Sequence, residues 1–153
     1  LQPFFANVQK RLTKSPKLYV RDTGLLHHLA GLRRPPELAT WPRRGASFEG
    51  LVVEELAALA ACRLARPEVY FWRTQAGAEV DLLIVEGRGI LPIEIKLGGT
   101  VDHRSLAGLR RCMDDLGLRR AWVVTSAREP RQLAGGVELV PWDWVAQGAV
   151  SFF

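Results

Sequence analysis

The sequence predicts an α/β fold: a mixed central β-sheet flanked by helices, with the core order α-β-β-β-α-β. Three observations carry this. A long helical pattern, "ASFEGLVVEELAALAACRLAR", precedes three strand-like runs, "EVYFWRT", "VDLLIV" and "ILPIEIKL". The tetrapeptide "EGRG" between the second and third runs reads as a hairpin turn, which makes those two strands antiparallel. A second helical pattern then separates "ILPIEIKL" from "RRAWVVTS". A helical crossover between strands of one sheet makes them parallel, so both strand directions occur together.

Taken in order, residues 1–22 hold two short apolar stretches, "LQPFFANV" and "KLYVRD", around the basic "KRLTKSP". They predict a hairpin or an edge strand. "DTGLLHHLAGL" predicts a short helix capped by Asp22 or Thr23 and ended by Gly31. Pro35, Pro36 and Pro42 predict a loop through "RRPPELATWPRRG". The long helix is expected from about Ser47 to Leu64. Phe48, Leu51, Val52, Leu59 and Cys62 recur at helical spacing and mark its inward face. Glu55 falls in the middle of that face, Glu49 at its border, and Glu54 points away. A carboxylate in an apolar stripe is costly unless it is paired or holds a metal. After the three strands, a helix is expected around Asp102 to Leu116, with Leu106, Leu109, Met113 and Leu116 inward and Arg104 and Arg111 opposite. "GVELVPWDWVAQG" predicts a further strand running into a short terminal helix. Residues 1–44 are expected to form an N-terminal extension, a hairpin plus a short helix, and residues 45–153 the main domain.

The 153 residues suffice for one domain with its own core. No uncharged apolar run reaches the ~18 residues of a membrane-spanning helix, and no secretory pattern opens the chain. A first residue that is Leu1 rather than Met is expected of a piece of something longer. Cys62 and Cys112 lack metal-ligand spacing and point to a reducing, cytoplasmic setting. A net charge of +5 and a sequence pI of about 9.8 suit an anionic partner, nucleic acid first. His27 and His28 read as ordinary helix residues, and only His103 stands elsewhere, so a histidine metal site is not expected. Ser47, Ser105 and Ser126 lack a triad context. With no G-x-x-x-x-G-K-[ST] phosphate loop, this chain is not expected to hydrolyse ATP.

The chemistry concentrates in "AEVDLLIVEGRGILPIEIK", where two core-like strands carry charge. Alternation puts Glu94 and Lys96 on one face of their strand, and Asp81 with Leu83 and Val85 on one face of the other. If the hairpin closes with Val85 opposite Ile90, Asp81 falls directly opposite Glu94. Opposed residues have Cβ atoms ~4.5–5.5 Å apart, so something positive must sit between the two acids. Lys96 or a divalent cation would serve. Magnesium takes carboxylate oxygens and bridges to phosphate, and it acidifies a coordinated water enough to attack a phosphodiester. Lys96 would then help position that water and stabilise developing charge. Glu49 or Glu55 would complete the set from the helix. Arg73 would contact a phosphate or pair with Glu79 or Glu94, and Arg104 and Arg111 form a candidate phosphate track.

"GASFEGLVVEEL", "AEVDLLI" and "LPIEIK" resemble the three motifs of the PD-(D/E)XK nucleases. Glu49 matches the helix glutamate, Asp81 the metal-binding aspartate, Glu94 the second acid and Lys96 the motif lysine. With "KLYVRDTGLLHHLAG" and "YFWRTQAGAEVDLLI", the chain also resembles the uncharacterised domain found C-terminal to AAA-type ATPase domains in bacteria and archaea. That resemblance runs from about Lys17 to Trp144. It implies a restriction-endonuclease-like fold and a Mg²⁺- or Mn²⁺-dependent nuclease-like domain acting on DNA. It also implies an upstream ATPase and a winged-helix segment, of which residues 1–20 would be the tail. Members of that superfamily also persist as non-catalytic DNA- or protein-binding modules, the alternative expectation.

Overall fold

The computed structural model describes residues 1–4, 15–102 and 105–153. Its elements are β1 (Gln2–Pro3), α1 (Thr23–Leu29), α2 (Pro35–Thr40), α3 (Arg44–Arg63), β2 (Glu68–Arg73), β3 (Glu79–Glu86), β4 (Gly89–Lys96), α4 (Ala107–Leu116), β5 (Ala121–Thr125), β6 (Arg131–Leu133), β7 (Val137–Pro141) and α5 (Trp142–Ala146). Among the described residues the strands form one mixed sheet in the order β1-β2-β3-β4-β5-β7-β6. The β3–β4 pair is antiparallel and closes with Val85 opposite Ile90, as the hairpin reading requires. Gly87, with φ 59°, is the first of the two loop residues, where a tight hairpin turn needs a residue free to adopt positive φ. α4 then crosses over to β5, which lies parallel to β4.

β3 and β4 are covered on both faces, which is why their sequences read as nearly continuous apolar runs. On one face Val52, Val53, Leu56 and Ala60 of α3 pack with Leu82, Ile84, Leu91, Ile93 and Ile95. On the other, Leu109, Cys112 and Met113 of α4 pack with Val80, Leu83, Val85 and Val123. The α4 stripe follows its helical spacing closely, with Cys112 added and Leu116 only partly buried.

Three expectations need correction. The inward face of α3 is rotated from the predicted one: Val53, Leu56 and Ala60 are buried, while Glu55 and Cys62 are exposed. Phe48 and Leu59 pack only at its margin. Adjacent valines and many alanines leave several nearly equivalent stripes, and the sheet selects one. The expected loop at residues 33–45 contains α2 and runs into the start of α3; Pro35 and Pro36 occupy the first turn of α2, where a missing N–H costs nothing. β6 is an additional short strand pairing with β7. Of the two expectations for the N-terminal stretch, a hairpin or an edge strand, the edge strand is the one found at residues 2–3: β1 lies at the edge of the sheet, parallel to β2. Leu1 and Lys17 exchange main-chain hydrogen bonds of 2.7 and 3.0 Å. The rest of that predicted hairpin, at residues 5–14, lies outside the described residues, as does Arg104.

One irregularity positions the charged residues. Tyr70 pairs with Leu83 but Trp72 with Val80, so Phe71 alone faces both Asp81 and Leu82. This is a β-bulge, an extra residue that breaks alternation and bends the strand. Val80 consequently joins Leu83 and Val85 on the α4 side instead of Leu82 and Ile84 on the α3 side.

Candidate functional site

The β3–β4 ladder runs from Glu86–Gly89 to Leu82–Ile93 and stops there. Asp81 and Glu94 therefore do not form the direct cross-strand pair expected from counting residues. Asp81 Oδ2 instead accepts a 2.9 Å hydrogen bond from the main-chain amide of Ile95. Strand amides point in the plane of the sheet, so this carboxylate lies in the gap between β3 and β4. Its other oxygen, Oδ1, is 3.3 Å from Lys17 Nζ.

Lys17 is the centre of the cluster, and sequence reasoning missed it. Its ammonium lies 3.0 Å from Glu49 Oε1 on α3, contacts Glu79 Oε1 at the start of β3, and reaches Asp81. Tyr19, two residues along the same extended segment, donates its hydroxyl to Glu49 Oε1 at 2.5 Å. Glu79 also takes the Arg73 guanidinium, one of the partners weighed for that arginine. On β4, Lys96 Nζ is 2.5 Å from Glu94 Oε1. Among the described residues, four carboxylates (Glu49, Glu79, Asp81 and Glu94) thus face three cations (Lys17, Arg73 and Lys96), one carboxylate more than there are cations.

Burial and charge shift these groups together. Burial pushes the Asp81 carboxyl above its ordinary range, and the Glu49 charge adds to this, while Lys17 and the Ile95 amide oppose it. Burial, then the Asp81 charge, push Glu94 up to about 7 against the pull of Lys96. Burial alone would lower Lys17, yet the hydrogen bond to Glu79 and the charges of Asp81 and Glu49 raise it. Lys96 is raised in the same way, with Glu94 outweighing burial. Glu79 resists burial and falls below the usual carboxylate range because Lys17 and Arg73 hold it.

Of the residues expected at the site, Asp81, Glu49, Glu94 and Lys96 converge on this end of the sheet, and Arg73 joins through Glu79. Glu55 does not: it is exposed, so Glu49 is the helix carboxylate that belongs to the cluster. Arg111 lies away on α4, paired with Asp115 at 2.9 Å. Lys17 and Tyr19 carried one faint signal, their i, i+2 spacing in an extended segment, which puts both on the same side.

The donor types, though not their present grouping, are those a hard divalent cation takes. Asp81, Glu94 and Glu49 offer the carboxylate oxygens that a hard cation takes. Among the described residues Glu94 Oε2 is buried without a hydrogen-bond partner, an oxygen with capacity to spare. Among the described residues, however, no three His, Cys, Asp or Glu side chains are grouped to hold a metal ion. The Lys17 ammonium instead stands among Glu49, Glu79 and Asp81. A surface cavity of about 380 Å³ opens beside Lys17, Tyr19 and Glu49, with Trp41, Arg43 and Ser47 on its wall. His27 Nε2 lies 2.8 Å from Ser47 Oγ next to it.

Residues 44–145 match the profile of a domain of unknown function, DUF4143, and residues 1–35 match that of a second, DUF8612. Uncharacterized proteins of Mycobacterium tuberculosis and Mycobacterium bovis are each 40% identical to the chain over 146 residues. The match covers 95% of this chain and 32% of each relative, so the chain spans about a third of the length of these curated relatives. No helix among the described residues is long and apolar enough to cross a membrane.

Proposed function

The chain belongs to the family of the domain of unknown function DUF4143, and on that footing we propose that it is a nuclease-like domain of restriction-endonuclease-like fold. In this reading it acts on DNA phosphodiesters with Mg²⁺ or Mn²⁺, in the cytoplasm, downstream of an ATPase domain within a longer polypeptide. The observation that carries the reading is Glu94. It is a buried carboxylate on a central strand, raised to about 7, with Oε2 unpartnered among the described residues and Lys96 on its other oxygen. A core strand gains nothing structural from such a residue, because a buried unsatisfied oxygen costs about 1–3 kcal/mol.

Asp81, Glu94 and Glu49 would hold the cation, which when bound supplies a Lewis acid for the phosphate oxygens. Asp81 is oriented for this by the Ile95 amide, which fixes one oxygen and leaves the other for exchange. Lys96, half-buried beside Glu94, stabilises negative charge building on the phosphate. Arg73 and Arg111 would have to leave Glu79 and Asp115 to contact the DNA backbone. The deciding experiment incubates single- and double-stranded DNA with the protein in Mn²⁺, alongside an Asp81→Ala/Lys96→Ala double variant. Cleavage by the wild type alone supports the reading; equal, background cleavage by both removes it.

A second reading has its own observation. Lys17 already neutralises Glu49, Glu79 and Asp81 without any metal. On this reading the domain is a non-catalytic DNA- or protein-binding module of the ATPase, and its charges form a fixed ion-pair network. DNA binding that persists in EDTA without cleavage in Mn²⁺ would favour it.

A further inference from the structure

We propose that Lys17 is an internal cation that plugs the carboxylate cluster, and that a divalent ion enters only as the Lys17 strap withdraws. The proposal rests on the metal-binding reading of the cluster given above. Its first support is occupancy. The ammonium shares Glu49 Oε1 and Asp81 Oδ1, oxygens that a hard cation would also need, and it contacts Glu79 as well. One ammonium bears one charge, whereas a divalent ion brings two to a cluster with a carboxylate in excess. The second support is Glu94 Oε2, buried within reach of the Asp81 and Lys17 charges and with no hydrogen-bond partner among the described residues, an oxygen that the lysine leaves unsatisfied.

The third support is how lightly the strap is held. Residues 15–20 belong to no helix or strand. Leu18 is 92% exposed and Val20 45%, so the apolar side of the strap faces solvent. Among the described residues, its hydrogen bonds besides those of the Lys17 ammonium are the main-chain exchange between Lys17 and Leu1 and the Tyr19 hydroxyl to Glu49. The Tyr19 ring packs at the edge of the α3-side core, 3.3 Å from the Cβ position of Gly50. A segment with few buried apolar contacts opens at low cost. Withdrawal would also widen the adjoining cavity, which Lys17, Leu18, Tyr19 and Val20 line. The plug comes from the stretch matching DUF8612, and the carboxylates it closes lie in the stretch matching DUF4143. Movement of one part against the other is therefore a means of control.

The test measures Mn²⁺ binding by calorimetry and by electron paramagnetic resonance, which needs no substrate. It uses the full chain as wild type, Lys17→Met and Lys17→Arg, each with and without Asp81→Asn. Lys17→Met is expected to bind Mn²⁺ about tenfold more tightly than wild type or more, Lys17→Arg no more tightly, and Asp81→Asn to abolish the gain. Equal binding by wild type and Lys17→Met, lost in both with Asp81→Asn, overturns the plug and leaves the metal reading standing. No binding by any variant at millimolar Mn²⁺ overturns both and makes Lys17 a permanent counter-ion. If Lys17→Met is unfolded in EDTA, refolding on Mn²⁺ addition, read by circular dichroism, supports the plug; failure to refold overturns it.

Discussion

The main-chain amide of Ile95 donates to Asp81 Oδ2 at 2.9 Å, so a carboxylate takes the place of a strand carbonyl where the β3–β4 ladder ends. A hydrogen bond to a charged acceptor is stronger than its neutral counterpart, and this one helps keep Asp81 tolerable at a buried position. Asp81→Leu leaves a buried amide without an acceptor and is expected to cost about 1–3 kcal/mol in urea unfolding. Asp81→Asn keeps an acceptor and removes the charge facing Glu94. Its stability should stay near wild type, and the Glu94 carboxyl, followed by ¹³C NMR, should titrate below about 7.

Stability should fall as pH rises from about 4.5 to 7. Glu94 has a folded-state value of about 7 against an ordinary 4.5, so in that window the folded chain holds a proton that the unfolded chain has released. Its contribution is fully present below 4.5 and is lost as pH climbs through 7. Asp81, also raised by burial, acts in the same direction. Glu79, lowered by Lys17 and Arg73, acts oppositely but only below 4.5. Urea midpoints at pH 5 and pH 7.5 should show the decline in wild type and a shallower one in Glu94→Gln. An identical decline in both would mean that Glu94 is not its source.

Much of this was legible in the chain itself. The two-residue turn between "VDLLIV" and "ILPIEIK" sets the β3–β4 register, and the α4 stripe has a single apolar side. Asp81, Glu94 and Lys96 stand out because charge inside an apolar run demands compensation. Three things were not legible for physical reasons. The bulge at Asp81–Leu82 arises from pairing with β2, and nothing in the local pattern of β3 marks it. The phase of α3 is chosen by the sheet, because an alanine-rich helix with paired valines has no dominant stripe of its own. Lys17 lies 64 residues before Asp81 in an extended segment whose polarity is inverted, with Leu18 outward and the lysine inward. Only tertiary contact reveals that it supplies the positive charge the acids require.

The two glutamates first weighed for the helix position should separate cleanly. Glu49→Ala deprives Lys17 and Tyr19 of a shared partner in a half-buried setting, and a loss of about 1–3 kcal/mol is expected. Tyr19→Phe removes one of those bonds and should cost about 1 kcal/mol. Glu55→Ala touches an exposed side chain and should stay within about 0.5 kcal/mol of wild type. Chemical denaturation of the three variants checks the order, and a Glu55 effect as large as that of Glu49 would contradict the helix phase.

The last prediction concerns the support beneath the cluster. Gly108, in the first turn of α4, lies against the main chain of Glu79, the residue that receives both Lys17 and Arg73. A Cβ added at Gly108 would sit 2.5 Å from the Glu79 carbonyl oxygen and 3.3 Å from its nitrogen. Both are backbone atoms of a paired strand, so no side chain can swing aside, and α4 must lift from β3. Overpacking of this kind costs about 1–3 kcal/mol. Gly45, in the first turn of α3, has nothing within 4 Å of its added Cβ. Gly45→Ala should therefore be neutral or stabilise the chain by up to about 1 kcal/mol through helix propensity. Thermal unfolding compares the two directly. If Gly108→Ala unfolds at the wild-type temperature, α4 does not press on Glu79 closely enough to hold the acids in place.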